Sequence, residues 1–225
     1  MTIATEGPFL KRWQGHIEEL INISAKKPQA IEAKHQSIVQ GACQVFFEKG
    51  FHPASMREIA EAAGMSMGQM YHYISSKDDV LFLMHKHMQT LWYQHLMDAK
   101  ITKTKDPLKK MALSLHATIV FLNENKDLIQ FIYSESKYLN KKHLHVVLEM
   151  DDKNVVEYWR EILTDVARQQ GVAMDVDAAA NLIAYILVFF SLRGWNMKSR
   201  PMKEMEEFIT TFILKGLGLP ALQSE

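Results

Sequence analysis

Residues 55–77 read Ser55-Met-Arg-Glu-Ile-Ala-Glu-Ala-Ala-Gly64-Met-Ser66-Met-Gly-Gln-Met-Tyr-His-Tyr-Ile-Ser-Ser-Lys77. The pattern predicts two short helices joined by a tight turn. Ser55, followed three residues later by Glu58, fits a capping box, in which each side chain satisfies an orphan backbone N–H at the helix start. Ile59, Ala62 and Ala63 share one face, and the alanines are small enough to admit a neighbouring helix. Gly64 stands where a left-handed residue closes the first helix. Met65 can fill the gap between the helices, and Ser66 can cap the second. The second helix is predicted from about Met67 to Ile74, with Met70 and Ile74 facing the core. Met67, Gly68, Gln69, Tyr71 and His72 fall on its other faces. Gly68 costs about 1 kcal/mol relative to alanine in a helix, a cost justified where the backbone approaches a phosphate or a base edge. The arrangement is that of a helix-turn-helix whose second helix enters the DNA major groove. Gln69 has the chemistry to contact adenine through two hydrogen bonds, while Tyr71, His72 and Lys77 suit phosphates. The same spacing also occurs in ordinary helical proteins. In that reading Tyr71 and Tyr73 are half-buried aromatics, and Lys77-Asp78-Asp79 is only the capped start of the next helix.

The surrounding residues extend the pattern. Ile38, Ala42, Phe46 and Phe47 lead to Gly50-Phe51, then come Ser55–Gly64, Ser66–Lys77 and Val80-Leu81. Residues 34–84 thereby resemble the N-terminal domain of the TetR family of bacterial transcriptional regulators. Two positions depart from the family pattern: Ile74 stands where phenylalanine is usual, and Met67 cannot read a hydrogen-bond pattern. Met67 is expected to touch a thymine methyl or to pack neutrally. The resemblance implies that Ser55, Met56 and Arg57 approach DNA from the first helix, with Ser66 capping the second. It further implies that Met67, Gly68 and Gln69 reach base edges, and that Tyr71, His72 and Lys77 hold phosphates. It implies an all-α fold, with an N-terminal three-helix helix-turn-helix domain and a C-terminal helical ligand-binding and dimerisation domain. The partners implied are a double-stranded DNA operator, a small-molecule inducer and a second copy of the chain.

Charge and composition bound these expectations. The 225 residues carry 26 basic and 26 acidic side chains, and Arg57 and Lys77 are nearly offset by Glu58 and Glu61. Affinity for DNA should then come from placed neutral donors, helix N-termini and dimer avidity more than from a positive field. The single cysteine, Cys43, excludes an internal disulfide framework and suits a reducing cytoplasm. Met1–Leu10 lacks the pattern of a signal peptide. The apolar stretch Ala178–Leu192 is shorter than the roughly 20 residues a bilayer requires, so no membrane partner is expected. His85 and His87, like His143 and His145, are two apart and point to different sides of a helix. No Gly-rich phosphate loop, serine elbow or Cys-x-x-Cys is present. The expectation is no enzyme, no cofactor, and no catalytic or metal residue.

Domain boundaries are expected at 1–30 for an N-terminal extension, 31–76 for the DNA-binding domain and 77–225 for the ligand-binding and dimerisation domain. The extension is either an arm that places Lys11-Arg12 and Lys26-Lys27 on DNA, or a short docked helix through Trp13, Ile17, Leu20 and Ile21. Helices are predicted at about Ile31–Lys49, from Lys77 to about Lys100, from Pro107, over Leu128–Tyr138, over Lys141–Gln170, from Asp175 or Asp177 to about Met197, and from Pro201 to Leu217. Ile183, Leu187, Phe190, Phe208 and Phe212 give the last two helices wide apolar faces suited to a four-helix dimer interface. The family resemblance implies an inducer pocket. Candidate ligand residues are Phe131, Tyr133, Glu135, Tyr138, Trp159, Phe189, Arg193 and Trp195; Arg193 either anchors an anionic group or pairs with a glutamate across the dimer or snorkels to solvent, and each aromatic reads equally as core. Lys137, Lys141 and Lys142 either meet coenzyme A phosphates or are a solvated charge run. The ligand expected is a coenzyme A thioester or a related amphipathic carboxylate. The alternative is a helical small-molecule-binding protein with weak or lost DNA binding.

Overall fold

A computed structural model describes residues 28–98, 101–194 and 200–221; the readings placed on residues 1–27 and on Trp195 lie outside them. Ten α-helices are described: α1 (Pro28–Lys49), α2 (Met56–Ala62), α3 (Met67–Tyr71), α4 (Lys77–Asp98), α5 (Pro107–Glu124), α6 (Lys126–Glu135), α7 (Lys141–Met150), α8 (Glu157–Gln170), α9 (Val176–Arg193) and α10 (Met202–Gly216). No strand occurs among the described residues. The chain divides into two compact units. One comprises Met1–Thr90 with Phe131–Glu149, the other Leu91–Gln130 with Met150–Glu225. The boundary expected at residue 76 does not coincide with this division, because α4 runs on within the first unit to Thr90.

The first unit is organised by a close approach of α1 to the end of α2. A Cβ on Gly41 would lie 2.6 Å from the Ala63 backbone nitrogen and 2.9 Å from the Ala62 carbonyl carbon. Only glycine lets the helices meet at that distance. Around the contact, Ile38, Ala42, Phe46, Ile59, Met70, Ile74, Leu81 and Phe82 are buried, so the isoleucine at 74 serves as a core residue. The segment Phe131–Glu149, which begins within α6, folds into the same unit. The Phe131 ring stacks on Phe46 at 5.0 Å and Tyr138 stacks on Phe51 at 5.3 Å. The Asn140 N–H donates to Asp78 Oδ1 at 2.8 Å.

The second unit packs Met111, Leu115 and Ile119 of α5, Ile162, Leu163 and Val166 of α8, and Ile183 and Leu187 of α9 into its core. Two buried hydrogen bonds there join neighbouring helices. Trp92 Nε1–H donates to Thr118 Oγ1 at 3.1 Å, and Ser191 Oγ–H donates to the Leu122 carbonyl at 3.0 Å. The helix expected to run unbroken over 141–170 is instead interrupted by a π-helical stretch, Asp151–Val156. Such a stretch adds a residue to the turn and re-aims the side chains beyond it. It lies just past the point where the chain leaves the first unit. Gly171 closes α8 at φ 65°, as the sequence predicted. On α9 the apolar face differs from expectation. Ile183 and Leu187 point into the unit's own core, whereas Leu182, Tyr185 and Phe189 are exposed, as are Phe208 and Phe212 on α10.

Two buried histidines make the first unit sensitive to acid. Burial, with the Lys86 ammonium adding to it, lowers the His35 pKa from 6.5 to about 4. Burial alone takes His85 to about 4. Both are neutral when folded, while the unfolded chain binds protons near the ordinary value. The stabilisation is therefore complete above about pH 6.5 and is lost as pH falls towards 4, on the order of 3 kcal/mol for each histidine. Thermal melts followed by circular dichroism should show Tm falling over that range. His85→Gln should flatten the dependence.

Candidate nucleic-acid interface

Three reciprocal caps build the reading head, at the starts of α2, α3 and α4. Glu58 N–H donates to Ser55 Oγ at 3.3 Å, and Ser55 N–H returns a bond to Glu58 Oε2 at 2.9 Å. Gln69 N–H donates to Ser66 Oγ at 3.2 Å, and Ser66 N–H to Gln69 Oε1 at 2.9 Å. Asp79 N–H donates to Ser76 Oγ at 3.2 Å, and Ser76 N–H to Asp79 Oδ2 at 3.1 Å. The first was legible in the sequence. Of the second, Ser66 was read as the cap, while the return bond to Gln69 was missed, although Ser66-x-x-Gln69 carries the same signature. Between α2 and α3, Gly64 is left-handed at φ 66°, and Met65 N–H closes the turn on the Ala60 carbonyl at 2.9 Å. The α3 helix ends at Tyr71, shorter than predicted. His72, Tyr73 and Ile74 continue as a turn bonded to the Gln69 and Met70 carbonyls.

Ser55, Arg57, Ser66, Gly68, Gln69, Tyr71 and His72 are exposed, and Met56 and Met67 are partly so. A Cβ on Gly68 would meet nothing within 4 Å. Packing therefore does not require glycine there, which leaves close approach by a partner as the physical reason for it. Gln69 has a double task. Its Oε1 is held by the cap, so a contact with adenine through both Oε1 and Nε2 has to give up that bond. Lys77 differs from expectation. Its ammonium donates to the Phe51, His52 and Ala54 carbonyls at 2.7, 3.0 and 2.9 Å and lies 4.8 Å from the centre of the Phe51 ring. All three donors are occupied, so Lys77 pins the loop before α2 in place of reaching a phosphate. Arg57 pairs with Glu61 at 3.0 Å, and Lys49 with Glu58. Lys49, followed by the Ser55 N–H, holds the Glu58 carboxyl down at about 2.

The expected ligand residues do not fall in one compact unit. Phe131, Tyr133, Glu135 and Tyr138 belong to the first, and Trp159, Phe189 and Arg193 to the second. Phe131 and Tyr138 are engaged in stacking on Phe46 and Phe51. Glu135 accepts from Ser134 Oγ at 3.0 Å, and Tyr133 is exposed. Phe189 lies on the outward face of α9, and Arg193 is exposed at its end. Trp159 is fully buried, and its Nε1–H has no partner. Asp78, Asp79 and His143 bring ligand-type atoms within 4.8 Å of one another. Asp78 addresses the Nδ1 edge of the imidazole and Asp79 the Nε2 edge, at 3.6 Å. The ring thus bridges two carboxylates from opposite sides, which suits an ion bridge better than a single metal centre.

Two glycines should respond oppositely to alanine. Gly41→Ala forces α1 off the Ala62-Ala63 backbone and should destabilise the protein by about 2 kcal/mol or more, read as a fall in Tm. Gly68→Ala should leave stability unchanged or raise it by up to about 1 kcal/mol, read as an unchanged or higher Tm, while weakening binding to duplex DNA in a gel shift. Lys77→Met should cost roughly 2 kcal/mol of stability, read as a lower Tm, with little change in the salt dependence of DNA binding.

Residues 38–84 match the family model described as bacterial regulatory proteins, tetR family. Over 112 residues, half of this chain, the sequence is 26% identical to the HTH-type transcriptional regulator HbdR of Aromatoleum sp. (strain CIB). That match spans 48% of the relative, so the chain spans about half the length of this curated relative. Among solved structures, the fatty acid degradation regulator FadR from Bacillus halodurans superposes with a TM-score of 0.67 at 22% identity, over 88% of this chain and 100% of that one. AibR, solved in complex with isovaleryl coenzyme A and operator DNA, superposes with a TM-score of 0.63 at 18% identity, over 81% of this chain and 97% of that one. At these identities the structural likeness speaks for the fold. The three reciprocal caps, the left-handed Gly64 and the exposed Gly68-Gln69 face lie within or beside residues 38–84, the segment that matches the model of the TetR family of bacterial regulatory proteins.

Proposed function

We propose that this protein is a ligand-responsive cytoplasmic repressor, which binds a palindromic DNA operator as a homodimer and is released by a small amphipathic inducer. The observation that carries the reading is the outward face of α3. Gly68, Gln69 and Tyr71 are exposed on a helix begun by a reciprocal cap after a glycine turn and closed by the His72 backbone N–H on the Gln69 and Met70 carbonyls. Recognition of this kind places a rigid helix in the major groove and reads base edges with two or three side chains.

Dimerisation is supported by the apolar surface of the second unit. Leu182 and Tyr185 of α9, with Phe208 and Phe212 of α10, are each more than half exposed. Contiguous apolar area of this kind marks an interaction surface, and a two-fold partner presents the same helices to it. The inducer is a coenzyme A thioester or a related aromatic or fatty acid derivative. AibR binds isovaleryl coenzyme A, and FadR is named for fatty acid degradation. In this chain the orphaned Trp159 Nε1–H offers a buried donor within the second unit, the kind of convergent polar group that orients a ligand in an otherwise apolar site. Release occurs as a population shift. Ligand and DNA favour different states of the dimer, with a reciprocal coupling of about 1–3 kcal/mol. The continuous helix α4, which passes from one unit to the other after Thr90, is one covalent route between them.

A gel shift with the region upstream of its own gene should show a complex, and Gln69→Ala should relax preference at one base pair while Tyr71→Phe weakens all sites alike. Absence of any complex would favour the other reading, a helical ligand-binding protein without DNA function. Tyr185→Glu with Phe212→Glu should give a monomer in sedimentation. Calorimetric titration with isovaleryl coenzyme A should show binding; none at high micromolar concentration removes the thioester reading.

A further inference from the structure

Four cations of the helix-turn-helix and its supports are committed within the fold, while Lys34, near the start of α1, is exposed. Lys49 pairs with Glu58, Arg57 with Glu61 and Lys86 with Glu32, while Lys77 is held by loop carbonyls. Lys137, Lys141 and Lys142 lie in the same compact unit, are exposed, and have no carboxylate partner among the described residues.

These three stand on a rigid platform. Tyr138 lies parallel to Phe51, with 3° between the planes, and meets the His52 ring at 4.3 Å; the Lys137 ammonium sits 5.0 Å over Tyr138. Asn140 donates to Asp78 from its backbone at 2.8 Å and from its side chain at 2.5 Å. Asn140 Oδ1 caps α7 by accepting the Lys142 and His143 N–H groups, each at 2.9 Å. Buried His143 bridges Asp78 and Asp79. The start of α7 is thus fastened to the first turn of α4, beside Lys77, and Tyr138 to the loop that leads into Ser55. Lys141 and Lys142 occupy the first turn of α7, the end of a helix where positive charge is disfavoured. Asp78 does not relieve them, being taken by Asn140 and His143.

We propose that Lys137, Lys141 and Lys142 form a second phosphate-contact element of the DNA-reading unit, meeting duplex phosphates beside the site read by α3. The proposal rests on the DNA-binding reading above. The chemistry is an ammonium on a phosphodiester, which adds affinity without sequence preference and supplies the positive field that the motif itself lacks. Free coenzyme A offers phosphates of the same chemistry. Duplex DNA is favoured because the lysines belong to the compact unit that carries the reading helix.

The test uses the full chain and a random-sequence duplex, titrated across about 50 to 200 mM salt. Lys141→Gln with Lys142→Gln, and the triple variant with Lys137→Gln, should lower the magnitude of the slope of log K against log salt by about 0.9 per lysine in each head. Tm and the base preference assigned to Gln69 should stay unchanged. Variants that keep the wild-type slope and affinity overturn the proposal while leaving the DNA-binding reading intact. Variants that lose calorimetric binding of coenzyme A but keep the duplex slope also overturn it, and assign the lysines to the small molecule. A wild-type protein that binds no duplex overturns both.

Discussion

The reading head depends on a backbone contact at Gly41. There α1 comes so close to the end of α2 that a methyl group would sit 2.6 Å from the Ala63 nitrogen. Close-packed interiors do not absorb such an intrusion locally; the helices shift as bodies. The angle between α2 and α3 is set by the turn after Ala63, through left-handed Gly64 and the Met65 bond to Ala60. A displaced α2 would therefore carry the exposed face of α3 with it.

On this base the head spends most of its polar groups on itself. Reciprocal caps begin α2, α3 and α4, and Lys49, Arg57, Lys77 and Lys86 are bound to carboxylates or carbonyls. The exposed ion pairs add little stability individually, but they leave the motif close to neutral. A helix held this rigidly loses little entropy on docking, which is how a recognition element can bind without a strong field. Gln69 shows the limit of the arrangement. The group best suited to read a base also caps the helix that presents it, so recognition and local stability draw on the same oxygen.

The segment Phe131–Glu149 alters how the two functions are divided. By sequence it belongs to the body; in space it packs with α1, with the loop before α2 and with the first turn of α4. Phe46 and Phe51, which a helix-turn-helix ordinarily needs only for its own core, are faced by Phe131 and Tyr138. The chain leaves this unit where α7 gives way to the π-helical stretch, and such stretches concentrate at functional sites. Any event in the second unit has three covalent routes towards the head: through α4 after Thr90, through α6 before Phe131, and through this stretch.

Local chemistry was readable from the sequence, because its partners lie within a few residues. The Ser55–Glu58 cap, the left-handed Gly64, the core roles of Met70 and Ile74, and the closure of α8 at Gly171 derive from backbone geometry that a short window contains. Three features required the tertiary structure. Gly41 is an unremarked glycine within α1 until Ala63, twenty-two positions later, is placed against it. Lys77 resembles a phosphate ligand until three carbonyls of a distant loop surround it. The outward face of α9 is not encoded in its period, because the helix is apolar nearly all round and periodicity selects a face only when the opposite one is polar. The sequence by itself determined where most helices lie, the cap at Ser55 and the family that residues 38–84 match. Which glycine bears a contact, which cation stays free and which apolar face turns outward were decided by packing between segments far apart in the chain, because burial is a property of neighbours that sequence spacing does not contain.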